Sequence, residues 1–218
     1  MLLPHHPEAL HQLRRPTEAD PLRVLISGCL AGHPCGVDGT DNGLAESLQP
    51  WILLPTVRTF AFCPEAYALG TPRTMPDIHR GDGRAVLAGK AQVLDEHGKD
   101  LTSKMLEGAH AMLQFAKHHQ IELCVLTDAS AACGSQVISD GCRLVEIRKY
   151  HKGLGVAAAL LDREGFLILS QRDYRSLGHL RKWLLPDFVP DPQAIDHHEH
   201  PWCKQYFGES ELGRYREA

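Results

Sequence analysis

Residues 24–40 read VLISGCLAGHPCGVDGT, and how the first half of that stretch gives way to the second sets the fold. With the two residues before it, the opening run is LRVLIS: short and almost wholly apolar, the pattern of a strand buried on both faces. Gly28, Cys29, Gly32, Pro34, Cys35, Gly36 and Gly39 follow at once, too rich in glycine and proline to be packed core. An apolar strand running into a glycine-rich loop that presents thiols is what the ligand-binding edge of an α/β sheet requires. Working outward, RTFAF at residues 58–62 and IELCVLT at 121–127 read as a second and a third strand. Between them residues 100–119, DLTSKMLEGAHAMLQFAKHH, place Leu101, Met105, Ala109, Met112, Leu113 and Ala116 at helical spacing, with Thr102 as the expected cap. Residues 153–165, GLGVAAALLDREG, read as a helix opened by glycines, and FLILS at 166–170 as a further strand. Strand, helix, strand in succession implies a parallel sheet, so the expected class is α/β, a Rossmann-like parallel sheet flanked by helices.

The chain has 218 residues, which suits one domain with extensions. The expected division is an N-terminal extension over residues 1–21, an α/β domain over 22–170, and a C-terminal extension over 171–218 packed on it as loops and short helices. The N-terminal extension, with a weak helical stretch near residues 8–15, is expected to be mobile or loosely docked. A formal net charge of −4 argues against a nucleic-acid polymer as partner, because a phosphate backbone needs a basic face. No apolar run approaches membrane-spanning length, and the opening residues are broken by proline, histidine and charge, so the expected location is the cytoplasm. In a reducing compartment seven cysteines read as metal ligands, catalytic thiols or small core residues rather than disulfides.

Three of the cysteines share a structural address. Cys29 follows the first strand, Cys63 directly follows RTFAF, and Cys133 lies a few residues after CVLT. The carboxyl ends of parallel strands lie on one edge, so three distant segments would bring three thiols together. A structural zinc usually takes four ligands, often in close pairs, and a redox dithiol needs two. A 4Fe-4S cluster held by three cysteines would leave one iron open to a substrate. Buried, incidental cysteines compete with all of these readings. The neighbouring residues favour a site: Glu65 and Arg73 in CPEAYALGTPR, and Asp128, Ser130, Gly134 and Ser135 around Cys133 in TDASAACGS. Taken singly, Glu65 reads more simply as a helix N-terminal acid and Arg73 as a salt-bridge partner.

Taken together, SGCLAGHPCGVDG, CPEAYALGTPR, GKDLTSKMLEGAH, SAACG with SDG, and GLGVAAALL resemble the thiouracil desulfidase (TudS) family in order and spacing, over about residues 23–170. The resemblance implies removal of sulfur from thiolated uracil or its nucleosides and nucleotides, with a 4Fe-4S cluster bound by three cysteines. The cluster cysteines match Cys29, Cys63 and Cys133, and the family's acid/base residue matches Glu65; Cys35 matches a loop cysteine not counted as a ligand. Two walls depart from the family pattern: Gly36 and Val37 stand where Arg-Tyr is usual, and Ser130, Ala131 and Ala132 where Ser-Pro-Ser is common.

On this reading the reaction is a non-redox hydrolysis releasing hydrogen sulfide. Glu65 activates water, Ser130 or Asp128 positions the base or passes a proton, and Ser27, Arg73, Gly134 and Ser135 contact a small thiolated pyrimidine. A substrate phosphate would rest on Arg73 or on the amides of KGLG, residues 152–155. The alternatives are a desulfidase for another thiolated substrate, or a non-catalytic iron–sulfur or zinc sensor module. HHEHPWC at 197–203 suggests zinc only weakly, since adjacent histidines point apart; Cys124 reads as core, Cys142 as ambiguous, and GDG at 81–83 as a turn.

Overall fold

The computed structural model describes residues 7–44 and 53–208. In chain order the elements are β1 (Leu22–Ser27), β2 (Val57–Phe62), α1 (Pro64–Leu69), β3 (Asp77–His79), α2 (Gly83–Leu87), β4 (Gln92–Leu94), α3 (Thr102–His118), β5 (Leu123–Leu126), β6 (Val137–Ser139), β7 (Tyr150–Lys152), α4 (Val156–Arg163), β8 (Ile168–Ser170), α5 (Tyr174–Leu184) and α6 (Pro201–Phe207). Short 3-10 turns occupy Pro7–Gln12, Gly28–Ala31 and His197–Glu199.

The four expected strands form one parallel sheet in the order β2-β1-β5-β8. β1 is central, and its alternating side chains supply both cores: Leu22, Val24 and Ile26 on one face, Leu25 on the other. From β2 the chain crosses to β5 on the far side of β1. The loops leaving β1 and β5 therefore diverge and open a crevice at the carboxyl edge.

On the Leu25 face lie α3 and α4. The buried stripe of α3, Met105, Gly108, Ala109, Met112, Leu113 and Ala116, follows the expected helical period. Gly108 has a steric reason: a Cβ there would stand 2.2 Å from the Pro64 carbonyl oxygen, so glycine lets α3 close against the start of α1. α4 is buried through Leu161, consistent with a helix that is apolar on all sides at its start.

Several expectations are corrected. Thr102 does not cap α3; it is the first helical residue, its backbone N–H donates to Asp100 Oδ1 (2.8 Å), and its hydroxyl accepts from Val93 N–H (2.9 Å). The N-terminal segment is docked within the described residues, with Leu10 and Leu13 packed on the second core and Arg14 paired to Glu122 at 2.6 Å. The C-terminal extension includes the 11-residue helix α5, whose Leu177, Leu180 and Leu184 close the Leu22 face. In GDG, Asp82 caps α2 by accepting from Ala85 N–H at 3.0 Å. Residues 1–6 and 209–218 of the expected extensions lie outside the described residues.

Candidate functional site

The loops after β1, β2 and β5 surround a cavity of about 370 Å³ at the carboxyl edge of the sheet. Cys29, Cys35, Cys63 and Cys133 all line it, so the three thiols expected to meet do meet, and a fourth joins them. Gly28 makes room for this: a Cβ there would stand 3.1 Å from Cys35 Sγ and 3.3 Å from Cys63 Cβ. Cys29 shares a hydrogen bond with the Thr127 hydroxyl (2.9 Å), and the Cys63 sulfur accepts from Ala66 N–H (3.4 Å) at the start of α1. The Cys35 thiol lies against both, holding Cys29 down to about 7 and Cys63 below the usual thiol range. Cys35 is raised in turn by its contacts with Cys29 and Cys63, and Cys133 is raised by burial and then by the charge of Cys63. Among the described residues no three His, Cys, Asp or Glu side chains converge as they would on one ion. Four sulfurs around a cavity with no histidine in its lining form a soft donor set, the type that holds iron–sulfur clusters.

Beside the thiols runs a chain of directed hydrogen bonds. Arg73 Nη2 donates to Glu65 Oε2 (2.8 Å), and the Ser130 hydroxyl donates to Glu65 Oε1 (3.0 Å). The same hydroxyl oxygen accepts from the backbone N–H groups of Cys133 (3.0 Å) and Ala132 (3.2 Å), which orients its proton toward Glu65. Glu65 and Arg73 are both nearly buried, so the carboxylate is paired and oriented while still facing the cavity. Ser27 also lines the cavity, where its hydroxyl accepts from Thr127 N–H (3.0 Å) and ties the end of β1 to that of β5.

Asp128 also lines the cavity, but its carboxylate is taken up by the loop behind Cys133. One oxygen of Asp128 accepts from the backbone N–H groups of Ala129, Ser135, Gln136 and Val137 at 3.1–3.2 Å. Its other oxygen meets His197 Nδ1 (2.5 Å) and the Ser170 hydroxyl (3.1 Å), so this carboxylate organises a loop and has no oxygen left over for proton transfer. Burial works against its charge, but His197 holds it below the usual carboxylate range. Gly134 and Ser135 do not line the cavity. A Cβ on Gly134 would stand 2.6 Å from Ile138 Cγ2, and Ser135 is fully buried behind the loop.

The two expected phosphate rests are also corrected. Arg73 Nη1 already donates to the carbonyls of Cys35, Gly36 and Gly70 and to the Thr71 hydroxyl, and among the described residues Nε is the one nitrogen of the guanidinium without a partner. At the start of α4, Gly155, Val156 and Ala157 donate their N–H groups to the carbonyls of Gly134, Ala131 and Ala132 at 2.7–2.9 Å, so they hold the Cys133 loop and no anion. Sequence reasoning missed Thr127 and Arg143 as lining residues. Arg143 donates to the Ala129 carbonyl (3.2 Å) and, 66 residues away in sequence, to Asp77, a pairing that no local motif announces. Cys124 is core as expected, its thiol raised by burial, while Cys142 lies outside the cavity lining.

Comparison with known proteins identifies relatives of the chain and of its fold. A solved structure described as a 4Fe-4S-dependent thiouracil desulfidase TudS (DUF523Vcz) superposes with a TM-score of 0.60 at 29% identity, covering 74% of this chain and 98% of its own. The uncharacterized protein YbbK of Bacillus subtilis (strain 168) is 31% identical over 155 residues, which is 71% of this chain and 99% of YbbK. Residues 24–173 match the family described as 2-thiouracil desulfurase, and they include all four cavity cysteines, Glu65 and Ser130. The chain belongs to the 2-thiouracil desulfurase family.

Proposed function

We propose that this protein is an iron–sulfur-dependent desulfidase that converts a thiolated uracil, as base, nucleoside or nucleotide, to the corresponding uracil and hydrogen sulfide. The observation that supports this most is Glu65, oriented by Arg73 and Ser130 on the wall of the cavity lined by the thiols. Cys29, Cys63 and Cys133 would hold a 4Fe-4S cluster, one from each strand end. When bound, the cluster would supply a soft Lewis acid for thiocarbonyl sulfur, which would make the ring carbon more electrophilic.

The remaining work falls to side chains. Each Glu65 oxygen has one lone-pair direction beyond its Arg73 or Ser130 bond, so the carboxylate can accept a proton from a water in the cavity. That water adds to the ring carbon as the carbon–sulfur bond breaks. Thiocarbonyl and water become carbonyl and hydrogen sulfide, and no electrons are gained or lost. Arg73 aims the carboxylate, and Ser130 relays any shift of Glu65 to the Cys133 backbone. Val37 and Met75 add apolar lining suited to the face of a pyrimidine. We place the protein in the cytoplasm with a small-molecule partner; among the described residues no helix is long and apolar enough to cross a membrane.

The test is iron and acid-labile sulfide in anaerobically purified protein, with hydrosulfide release from 2-thiouracil and a 4-thiouridine nucleotide. Cluster with release on either substrate is the expected result, and absence of iron overturns the reading.

A further inference from the structure

The family match ends at residue 173, but the hydrogen-bond network behind Cys133 continues past it. Residues 128–137 form the loop that presents Ser130 and Cys133, and one carboxylate gathers it: Asp128 Oδ1 accepts four backbone N–H groups from the two ends of that loop. The Asp128 side chain has no solvent exposure. A buried carboxylate needs a counter-charge, and among the described residues the cation paired with it is His197, at 2.5 Å, from the C-terminal segment. Because an ionised carboxylate can only accept, Nδ1 of His197 is the donor.

His197 is itself held firmly. Its backbone N–H donates to Asp173 Oδ1 (3.1 Å), a carboxylate that also accepts from Gln136 Nε2 inside the loop. Asp196, one residue before, accepts from the Ser176 N–H (2.9 Å) and hydroxyl (2.7 Å) on α5. Glu199 accepts from Arg175 (2.7 Å) and from the Asp196 N–H (3.0 Å). The imidazole faces Asp128 and, on its other side, the buried Cys203 thiol. Burial alone would push it down, but these two partners raise it to about 9, so it is charged at neutral pH.

We propose that His197 is a positioning residue for the Cys133 ligand: by pairing with Asp128 it fixes the carboxylate that shapes the 128–137 loop, making the C-terminal segment part of the cluster-binding scaffold. The proposal rests on the cluster reading given above for the function of Cys133, but the geometry of the loop does not. Two consequences separate it from a general packing role. Loss of His197 should loosen residues 128–137 and leave β1 and α3 as they are. The damage should also register at Cys133 as weaker retention of iron.

The experiment compares the full-length wild type with His197→Ala and His197→Asn, the second keeping a side-chain N–H donor without the charge. Hydrogen exchange on the apo proteins reads the loop directly, and iron and labile sulfide after anaerobic reconstitution read the ligand. His197→Ala is expected to lose amide protection at Ala129, Ser135, Gln136 and Val137, with α3 unchanged. Iron retention should fall about 10-fold or more, the scale of outer-shell support for a metal site. His197→Asn should fall in between. Wild-type loop protection and iron retention in His197→Ala would overturn the proposal. If His197→Ala does not fold, the same two readings on His197→Asn decide: intermediate values support the role and wild-type values overturn it. If the wild type takes up no iron, the cluster reading fails, while the exchange measurement still decides whether His197 holds the loop.

Discussion

On the Cys63 wall of the cavity a carboxylate is held by side chains; on the Cys133 wall a carboxylate holds backbone. Glu65 lies between Arg73 and Ser130 with one face left toward the cavity, so its contacts orient it without exhausting it. Asp128 is enclosed by four amides, a hydroxyl and an imidazole, so its contacts immobilise a loop and leave nothing for chemistry. Two carboxylates thus separate into one with room for a further partner and one without, and the separation follows from the number of hydrogen bonds each accepts.

The largest effect should come from the sulfurs themselves. Alanine at Cys29, Cys63 or Cys133 is expected to abolish both iron binding and turnover, whereas Cys35→Ala should retain iron; iron analysis of the four anaerobically purified variants checks this. Next comes the Cys63 wall. Glu65→Gln keeps the shape and removes the charge, so iron content should stay at the wild-type level while kcat falls by about 10²–10⁴-fold, the usual range for loss of a general base. The same change on the opposite wall, Asp128→Asn, should lower iron content together with activity, because Asp128 holds the Cys133 loop. A variant of Asp128 that loaded fully but turned over slowly would return this residue to the chemistry.

How far these walls were legible in the sequence follows from the same contrast. Cys63, Glu65 and Arg73 fall within eleven residues, behind a strand, and their meeting was readable from the local motif. The parallel sheet was also readable, because strands buried on both faces are continuous apolar runs. The pairing of Asp128 with His197 spans 69 residues and joins two segments with no shared period, so nothing in HHEHPWC announces it. α5 did have its signal, Leu177, Leu180 and Leu184 at helical spacing, but the prolines that follow it obscured the pattern. Arg73 was recognised as a site residue, yet a sequence cannot show that its donors are already taken by carbonyls.

A smaller effect tests how Cys63 is placed. Gly108 lets α3 touch the Pro64 carbonyl, with a Cβ position only 2.2 Å away. Gly108→Ala must therefore push the start of α1 outward, at a cost of about 1–3 kcal/mol typical of overpacking. Because Pro64 lies between Cys63 and Glu65, activity should fall more than thermal stability does, and thermal melts beside kcat on the same preparation give the ratio.

The smallest effect is the pH dependence of the Cys133 wall. His197 is raised from an ordinary 6.5 to about 9 in the folded protein, so its contribution to stability is complete below 6.5 and is lost as pH rises through 9. Asp173, raised to about 7 by burial and by neighbouring Asp196, acts in the same direction at lower pH: the folded state prefers it protonated, and stability declines between about 4 and 7. The Cys29 thiol, lowered to about 7, opposes them, adding stability as pH rises through 7 toward its ordinary 9. Wild type alone would superimpose these trends. The difference between wild type and His197→Asn removes what the two chains share, namely Asp173 and the cavity thiols. That gap in Tm should be widest near pH 6 and should narrow steadily toward pH 9.5, as the imidazolium is lost and the native residue becomes, like asparagine, a neutral donor to Asp128. A gap constant across this range would mean that His197 holds Asp128 by its hydrogen bond alone, and that the buried carboxylate is balanced by its four amides.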